Sequence, residues 1–482
     1  WKQIMIDYFY TALAEKASSM LPEGYVANNE YDEAIDLYNT KIAEQESLPT
    51  MENADDSLYF HLATVFEKKG ERQHAIDYYN RYLRAERKGS YTSKAFFALG
   101  TLARSQGKID NASAYFKQAA ALGESGSASR EIAELLFQTE QYAEAAKQYS
   151  QLAQSSDSLD TRQFYQSRFI VATLRMDRLA EAQKLITEFE EAYKKNHGYK
   201  AEFEYEKSLI YYRKQDYATA KKSFENVGDD FGDTRFGPWA FYYIGKISEI
   251  TDKLEDAAKK YEAIFKKFPD SDVIPRVLLS LGNMHFNAER YEESIRYYQQ
   301  ITKSPEKAGD ILTYAMNNLI EAYESTKLYD DALKTTRDYI ERYPNDVNII
   351  DKKIKLGTLY TKIGYYDQAV LHFQNLIPEA GSLLEAEIRY NIGEAYYYKG
   401  DYQQAILEFL KVPYLVTKQG KVNWTATAFY MAGQSYEKMS KFDEAIGMYQ
   451  QVIDRPGIDA TFKAAARKEI DRVKSIIKKG SR

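Results

Sequence analysis

The chain has 482 residues, and its 65 basic and 71 acidic side chains give a formal net charge of −6. This balance argues against a general nucleic-acid-binding role, and no run approaches the roughly 18 apolar residues that a membrane span needs. Cysteine is absent from the sequence, which excludes disulfides, thiolate metal sites and a thiol nucleophile.

Small residues recur along almost the whole chain at a mean spacing of about 37 residues. Apolar residues around them repeat at spacings of three and four, as in Leu356, Leu359, Tyr360 and Ile363, which predicts amphipathic helices. A period of this length indicates a stacked array of repeats rather than a globular enzyme. The recurring small residues, which we call the anchors, are Ala34, Ala75, Ala112, Ala145, Ala182, Ala220, Ala257, Ser294, Ala332, Ala369, Ala405 and Ala445.

A glycine precedes six of the anchors by 12 residues. A short turn such as Gly364-Tyr365-Tyr366-Asp367 lies between the two positions, so each repeat is predicted to be an antiparallel helical hairpin. Glycine inside a helix costs about 1 kcal/mol relative to alanine, and we therefore expect it where two helices cross closely. These glycines are Gly100, Gly245, Gly282, Gly357, Gly393 and Gly433.

The repeat resembles the tetratricopeptide repeat, whose characteristic positions are matched by Gly245, Ala257, Tyr261 and Pro269. The resemblance extends from about residue 25 to residue 455 and implies an all-α, right-handed superhelical solenoid of about twelve hairpins. In chain order we expect an atypical N-terminal helix and cap at 1–33, the solenoid at 34–455 and a basic capping helix at 456–482.

The joints between hairpins vary in length, whereas the distance from glycine to anchor is constant. Pro269 and Pro344 each lie 12 residues after their anchors, where the family's proline falls, so the additional residues follow the proline. Proline, then Asp, Ser or Asn, then an apolar run is typical of a helix end and a capped new start. We therefore expect first helices to be lengthened at their N-termini. Such long joints are similar to those of bacterial cell-envelope repeat proteins, which implies a periplasmic or envelope location, with the cytoplasm as the alternative.

Catalytic and metal-binding motifs are absent from the sequence, since no phosphate-binding, zinc-protease or nucleophile-elbow pattern occurs. The five histidines are spread over five repeats without partners at ligand spacing. We therefore predict that the protein is not an enzyme and that it uses neither a metal nor a cofactor.

A partner surface is predicted on the first helices, which face the concave side in the family that the repeat resembles. Aromatic residues are frequent three residues before and four residues after the glycine position, and tyrosine suits protein interfaces. The same positions also suit packing between helices, so both roles stay open. Lysine is absent from the earlier row, which does not support a lysine-based clamp for C-terminal carboxylates. The predicted partner-binding residues are Tyr205, Tyr212, Tyr242, Tyr390, Tyr397, Tyr430, Phe286 and Arg130.

Two irregular joints and the C-terminus are further candidates for function. Residues 227–239 are expected to expose Phe231 and Phe236, and residues 411–424 depart from the regular pattern in the C-terminal half. The C-terminal helix is basic, so it either caps the last repeat, the interpretation we favour, or touches anionic lipid or an acidic partner.

These features favour a non-catalytic scaffold or adaptor that binds a partner peptide or helix in the concave groove, within a bacterial cell-envelope assembly. Two alternatives stay open: a structural subunit of a large multi-protein complex or self-assembly, and an accessory repeat region of a longer enzyme. The chain begins at Trp1 without Met, so we expect either a processed chain or a fragment. No nucleic-acid partner is expected.

Overall fold

The computed structural model describes residues 2, 11–47, 55–85, 89–416 and 422–480. Within these residues the chain forms helices and no strand, so the expected all-α class is confirmed. In chain order the helices are α1 (Ala12–Ala27), α2 (Tyr31–Glu46), α3 (Ser57–Lys69), α4 (Arg72–Arg84), α5 (Thr92–Ser105), α6 (Ile109–Ala121), α7 (Ser125–Gln138), α8 (Tyr142–Ser155), α9 (Leu159–Arg175), α10 (Leu179–Ala192), α11 (His197–Arg213), α12 (Tyr217–Asp230), α13 (Phe236–Ile250), α14 (Leu254–Lys267), α15 (Ile274–Asn287), α16 (Tyr291–Thr302), α17 (Pro305–Ala308), α18 (Ile311–Ser325), α19 (Tyr329–Arg342), α20 (Ile349–Ile363), α21 (Tyr366–Lys399), α22 (Tyr402–Leu415), α23 (Trp424–Lys438), α24 (Phe442–Asp454) and α25 (Ala460–Gly480).

Consecutive helices pair as hairpins around the anchors. The first helix of each hairpin carries the glycine position and the second carries the anchor, so hairpin 1 is α1 with α2 and hairpin 7 is α13 with α14. Helix α21 serves two hairpins, because Gly381 (φ 68°, ψ 177°) interrupts it. Its first part pairs with α20 as hairpin 10 and its second part with α22 as hairpin 11. The described residues thus form twelve hairpins, with α17 as an extra turn between hairpins 8 and 9 and α25 as a cap.

Packing divides the chain into two units, Trp1–Tyr243 and Ile244–Arg482. In each unit the second helix of one hairpin packs on the first helix of the next, as α6 does on α7 and α19 does on α20. First helices of neighbouring hairpins also touch, as α9 and α11 do in the first unit and α15 and α18 in the second. Each unit is therefore a stack of hairpins, which is the solenoid organisation that the repeat predicts.

Every hairpin turn has the same backbone conformation, set by one residue with positive φ that lies five positions before the anchor. The next residue donates its N–H to the carbonyl five residues earlier, as Leu328 does to Tyr323 and Tyr365 does to Tyr360, both at 2.8 Å. This left-handed C-terminal motif satisfies carbonyls that the helix end would otherwise leave unpaired. The residues with positive φ are Asn29, Gly70, Gly107, Glu140, Asp177, Gln215, Asp252, Glu289, Lys327, Gly364, Gly400 and Ser440.

The six predicted glycines each face an aromatic ring four residues beyond the anchor. A Cβ at Gly357 would lie 2.4 Å from the Phe373 ring, well inside van der Waals contact. The close approach of the two helices therefore joins the glycine of the first helix to an aromatic ring of the second helix, four residues after the anchor. The glycine and ring pairs are Gly100 with Phe116, Gly245 with Tyr261, Gly282 with Tyr298, Gly357 with Phe373, Gly393 with Phe409 and Gly433 with Tyr449.

Hairpin 9 lacks this glycine and reverses the sizes, whereas hairpin 5 places Ile170 and Ile186 at the two positions. Hairpin 9 has Ile320 at the glycine position, and the facing position holds the small, fully buried Thr336. Where the ring belongs to Tyr79, Tyr261, Tyr298 or Tyr449, its hydroxyl donates to an acceptor on the first helix; the Tyr261 hydroxyl donates to Glu249 Oε2 at 2.8 Å. In hairpin 9, as in the six hairpins with the glycine, a large side chain on one helix is thus matched by a small one on the other.

The expected lengthening of first helices after Pro269 and Pro344 is wrong. Helix α15 begins at Ile274 and has 14 residues, and α20 begins at Ile349 and has 15 residues. The additional residues form turns instead, because short polar side chains bond to nearby backbone: the Asn348 N–H donates to Asp346 Oδ1 at 2.7 Å.

The two ends follow the repeat more closely than the sequence suggested. The expected N-terminal segment 1–33 lies partly outside the described residues, but Ala12–Ala27 and Tyr31–Glu46 form a hairpin with the standard turn. At the other end α25 packs on hairpin 12 through buried Ala466, Ile470 and Val473. Its Arg472 forms an ion pair with Glu437 of α23 at 2.7 Å.

We predict that Gly357→Ala lowers the free energy of unfolding by about 1–3 kcal/mol, because the methyl group overpacks against Phe373. The matched control is Gly447→Ala in α24, where an added Cβ meets nothing within 4 Å. Relief of the helix cost of glycine should leave that variant unchanged or more stable by up to about 1 kcal/mol. Chemical denaturation of both proteins measures the difference, and equal effects would contradict the packing role of Gly357.

Candidate functional site

The row of aromatic residues three positions before the glycine packs inside the hairpins. Tyr205 is only 8% exposed, and its ring lies 5.9 Å from that of Phe224 and 5.4 Å from that of Phe236. Burial therefore strongly raises the pKa of the Tyr205 hydroxyl. This side chain forms part of the core of the first unit.

The other members of this row are half-buried and have similar neighbours. The Tyr390 ring lies 5.5 Å from Phe409 of its own hairpin and 5.2 Å from Trp424 of the next. Tyr430 packs 5.3 Å from Tyr449, and its hydroxyl donates to Glu469 Oε1 of the cap at 3.1 Å. For Tyr242, the rings of Trp239 and Tyr243 lie 5.9 and 5.6 Å away. The contacts of Tyr390 and Tyr430 join neighbouring elements, whereas the contacts of Tyr242 with Trp239 and Tyr243 lie within its own helix.

The row four positions after the glycine packs against the turn of the same hairpin. In each case the partner is a tyrosine at the start of the second helix, three residues before the anchor. The pairs are Phe286 with Tyr291 at 5.2 Å, Tyr212 with Tyr217 at 5.9 Å and Tyr397 with Tyr402 at 5.5 Å. All three first members are half-buried. Much of each ring is thus committed to closing the hairpin.

Solvent reaches the first helices along a different stripe. Because each residue turns the helix by about 100°, this stripe follows the positions six and two residues before the glycine position and one and five residues after it. We call it the first-helix stripe. At the position two residues before the glycine, Ser280 and Asn391 are buried. Tyr314 and Tyr398 belong to it and are 59% and 56% exposed. In hairpins 9 to 11 its members include Tyr314, Glu321, Asp351, Lys355, Thr358, Lys362, Glu387, Glu394 and Tyr398.

An ion-pair network in the second unit joins two lysines of this stripe to a neighbouring glutamate. Glu324 of α18 accepts from the ammonium groups of Lys355 and Lys362 on α20, each at 2.7 Å. Burial alone would raise the pKa of the Glu324 carboxyl, but the hydrogen bonds and charges of the two lysines hold it below its usual value. The network joins the first helices of hairpins 9 and 10.

Two carboxyl groups on the first helix of hairpin 11, the second part of α21, have among the described residues no pair of lysines that offsets the effect of burial on their pKa. Burial raises the pKa of Glu394, and the nearby Lys362 offsets this effect only in part. The pKa of Glu387 is also raised, first by burial and then by the charge of Asp351. A cationic group of a partner placed beside these carboxyls would stabilise their charged forms.

Arginines cover buried carboxylates on the first helices of the first unit. Arg168 pairs with Glu202, and Arg175 pairs with Glu206 at 2.5 Å, so both pairs join α9 to α11. Burial raises the pKa of Glu206 although Arg175 opposes this. The predicted contact residue Arg130 is exposed, and its guanidinium lies over the Phe164 ring at 5.8 Å. Arg130 is thus the predicted site residue that the structure leaves most accessible.

The irregular joint 227–239 does not expose its phenylalanines, contrary to expectation. Phe231 and Phe236 are buried. The joint folds back so tightly that a Cβ at Gly237 would lie 2.7 Å from the Cα of Gly232, which leaves room only for glycine. The other irregular stretch, 411–424, lies partly outside the described residues, but Trp424 begins α23 and packs on Tyr390.

The five histidines lie in four hairpins, because His61 and His74 share hairpin 2, and His372 Nε2–H donates to the Lys353 carbonyl oxygen at 2.7 Å. Among the described residues, no three His, Asp or Glu side chains come together as metal ligands. No helix in the described ranges is both long enough and apolar enough to cross a membrane.

Comparison with protein families matches three models, each described as tetratricopeptide repeat. One matches residues 384–455, one matches residues 97–159, 251–309 and 354–413, and one matches residues 56–88. A comparison with curated proteins finds no match.

Solved structures similar to the chain include two with low sequence identity. One is a tetratricopeptide repeat protein from Parabacteroides merdae, with 16% identity over 55% of this chain and 97% of that chain, and a TM-score of 0.34. The other is the APC/C hetero-tetramer Cut9-Hcn1, with 14% identity over 97% of this chain and 84% of that chain, and a TM-score of 0.33.

We predict opposite effects of two Glu→Gln substitutions beside the first-helix stripe. Because the pKa of Glu324 is lowered in the folded state, its stabilisation is present above the unfolded pKa and is lost as pH falls through the folded pKa. Glu324→Gln should therefore lower the melting temperature at pH 7, and the loss should shrink towards pH 4.

Glu394 provides the contrast. Its folded pKa is raised, so its favourable contribution is present below the unfolded pKa and is lost as pH rises through the folded pKa. Glu394→Gln, which mimics the protonated acid, should match or exceed the parent melting temperature at pH 7. Melting curves between pH 4 and pH 7 test both variants, and a loss for Glu394→Gln at pH 7 as large as that for Glu324→Gln would contradict this assignment.

Proposed function

Because the chain belongs to the tetratricopeptide repeat family, we propose that it is a non-catalytic scaffold or adaptor whose first-helix stripe holds a peptide or helix of a partner protein. Proteins of this family are in general protein-interaction modules. Our proposal adds two specific points to this general role, the chemistry of the partner segment and the cellular setting of the scaffold.

The exposed tyrosines of the first-helix stripe are the observation that carries this proposal. Tyr314 and Tyr398 lie on the first helices of hairpins 9 and 11, and both present more than half of their surface to solvent. Tyrosine combines a large contact area with a hydroxyl and two rotatable bonds, so it loses little entropy on binding. Glu387 and Glu394 lie on the same helix as Tyr398 and favour a partner segment with basic residues.

The aromatic rows and Arg130 stay part of the proposed surface as its margins. The half-buried rings of Tyr212, Tyr242, Phe286 and Tyr397 offer edges beside the stripe, as do Tyr390 and Tyr430. Arg130 offers a guanidinium for a carboxylate in the first unit. Tyr205 is too deeply buried to be reached without unpacking its hairpin.

A cell-envelope assembly is our proposal for the setting of this scaffold. It is supported by the long joints after Pro269 and Pro344, which are similar in style to those of bacterial envelope repeat proteins. Fractionation of cells that express the complete gene with a C-terminal tag tests this setting. Recovery in the cytosolic fraction alone would contradict it.

A structural subunit of a larger assembly is the second candidate function. The outer face of hairpins 10 and 11 favours it, because Leu371 and Leu407 are 60% and 50% exposed and Tyr414 is 85% exposed. The equivalent outer position, two residues after the anchor, holds a charged residue in hairpins 1, 2 and 4 to 9 and the small Ala114 in hairpin 3. A group of exposed apolar residues suits contact with another chain.

Site-resolved photo-cross-linking separates the two functions. A photoreactive phenylalanine analogue placed at Tyr314 or Tyr398 should yield the same partner adduct, while the analogue at Tyr414 serves as a matched exposed control on the outer face. The scaffold proposal predicts adducts from the first two positions and none of that size from the third. Adducts from Tyr414 alone, above all with a second copy of the chain, would overturn it in favour of a structural subunit.

A further inference from the structure

We propose that the joints flanking hairpin 8 form a second binding site, separate from the first-helix stripe, for a peptide segment with a large apolar side chain between an acidic and a basic residue. The site is a cavity of about 560 Å³ in the second unit, which we call the joint pocket. Its volume lies in the range of roughly 300–1,000 Å³ that is typical of ligand pockets. The proposal does not depend on the function proposed for the stripe.

The joint pocket is formed by two consecutive joints that contain additional residues, one before hairpin 8 and one after it. The residues after Pro269 form turns before α15 begins at Ile274, and an extra helical turn, α17, follows the end of α16. Gly309 then continues the chain with φ 52° and ψ −131°, a conformation open almost only to glycine. The two insertions lie on the same side of hairpin 8 and enclose the space between them.

The floor of the joint pocket is apolar and partly open to solvent. Leu278, Ile301 and Ala308 are buried, whereas Phe265 and Ile274 are half-buried and line the cavity. An apolar side chain that enters this space would remove the exposed parts of Phe265 and Ile274 from water. Burial of that surface is the main source of affinity for such a ligand.

The rim of the joint pocket carries opposite charges on its two sides. Asp270 and Asp272 belong to the joint before α15, whereas Lys303 and Lys307 belong to the joint after α16. All four residues are exposed, and neither lysine forms an ion pair with another described residue. A peptide that places an acidic residue at the lysines and a basic residue at the aspartates complements this rim on both sides of the apolar floor.

These charges also lie where helix ends favour them, since aspartates precede the start of α15 and Lys303 follows the end of α16. A structural role at the helix ends would change stability and would leave ligand affinity unchanged. The test must therefore measure affinity directly, with a control variant of equal charge.

Capped pentapeptides that contain 4-fluorophenylalanine between lysine and glutamate are suitable probes, and ¹⁹F NMR of the peptide reports binding to the full chain. Peptides with two lysines, with two glutamates, or with alanine in place of the aromatic residue serve as controls. We expect the mixed-charge aromatic peptide to bind more tightly than each of them. Absence of binding by this peptide at millimolar concentration would overturn the proposal.

Charge reversal locates the site. The double substitution Lys303→Glu with Lys307→Glu should weaken binding of the mixed-charge peptide about fivefold, as expected for two exposed ion pairs. Lys259→Glu with Lys260→Glu on α14 changes the net charge equally away from the pocket and should leave the affinity unchanged. Equal weakening by both double variants, or loss of binding in Tyr398→Ala, would overturn the assignment to the joint pocket. Because Tyr398→Ala changes only the stripe and the lysine double variant changes only the joint pocket, each of the two proposals can be contradicted independently of the other.

Discussion

The contact between an aromatic ring of the second helix and a glycine of the first determines the geometry of six of the described hairpins. A ring such as that of Phe373 fills the space that Gly357 leaves open. The small anchor, four residues before the ring, allows close packing around the second helix. Because the turn residue with positive φ fixes where the second helix starts, the ring always meets the same position. This contact at a fixed position keeps the geometry of these hairpins constant. Each hairpin then adds to the stability of the stack through its interfaces with the neighbouring hairpins.

Constancy of the hairpins leaves two parts of the chain free to differ. One is the first-helix stripe, where the residue type changes from hairpin to hairpin without disturbing the ring contact. Examples are Tyr314 in hairpin 9 and Tyr398 and the carboxyl groups in hairpin 11. The other is the set of joints, where additional residues form turns and, beside hairpin 8, a pocket. Binding properties can therefore change along the chain while the packing of every hairpin stays the same, which is the physical basis for use of such a stack as a scaffold.

The sequence predicted the fold well, whereas the candidate surface depends on the orientation of individual side chains, which a spacing pattern resolves only coarsely. Glycine, anchor and ring recur at fixed spacing, so the hairpins and their number follow from the residues alone. For the aromatic rows the sequence left packing and binding as alternatives, because a shift of one residue rotates a side chain by about 100°. The structure packs Tyr205 against Phe224 and Phe236, and Tyr390 against Phe409 and Trp424. Non-glycine turn residues such as Lys327 carry no signal for positive φ, because tertiary packing imposes it. Joint lengths are readable, but whether extra residues extend a helix or form turns depends on local side-chain hydrogen bonds.

A double-mutant cycle at hairpin 9 tests the central claim most directly. Ile320→Gly should create a cavity against Thr336, and Thr336→Phe should overpack against Ile320, so each alone should destabilise α18 and α19. The account predicts that the double variant, which recreates the pairing of Gly357 with Phe373, regains about 1–3 kcal/mol relative to the sum of the two losses. Hydrogen exchange of amides in α18 and α19 measures this coupling. Strictly additive losses would show that the ring and the small residue do not act as a pair, and would contradict the account.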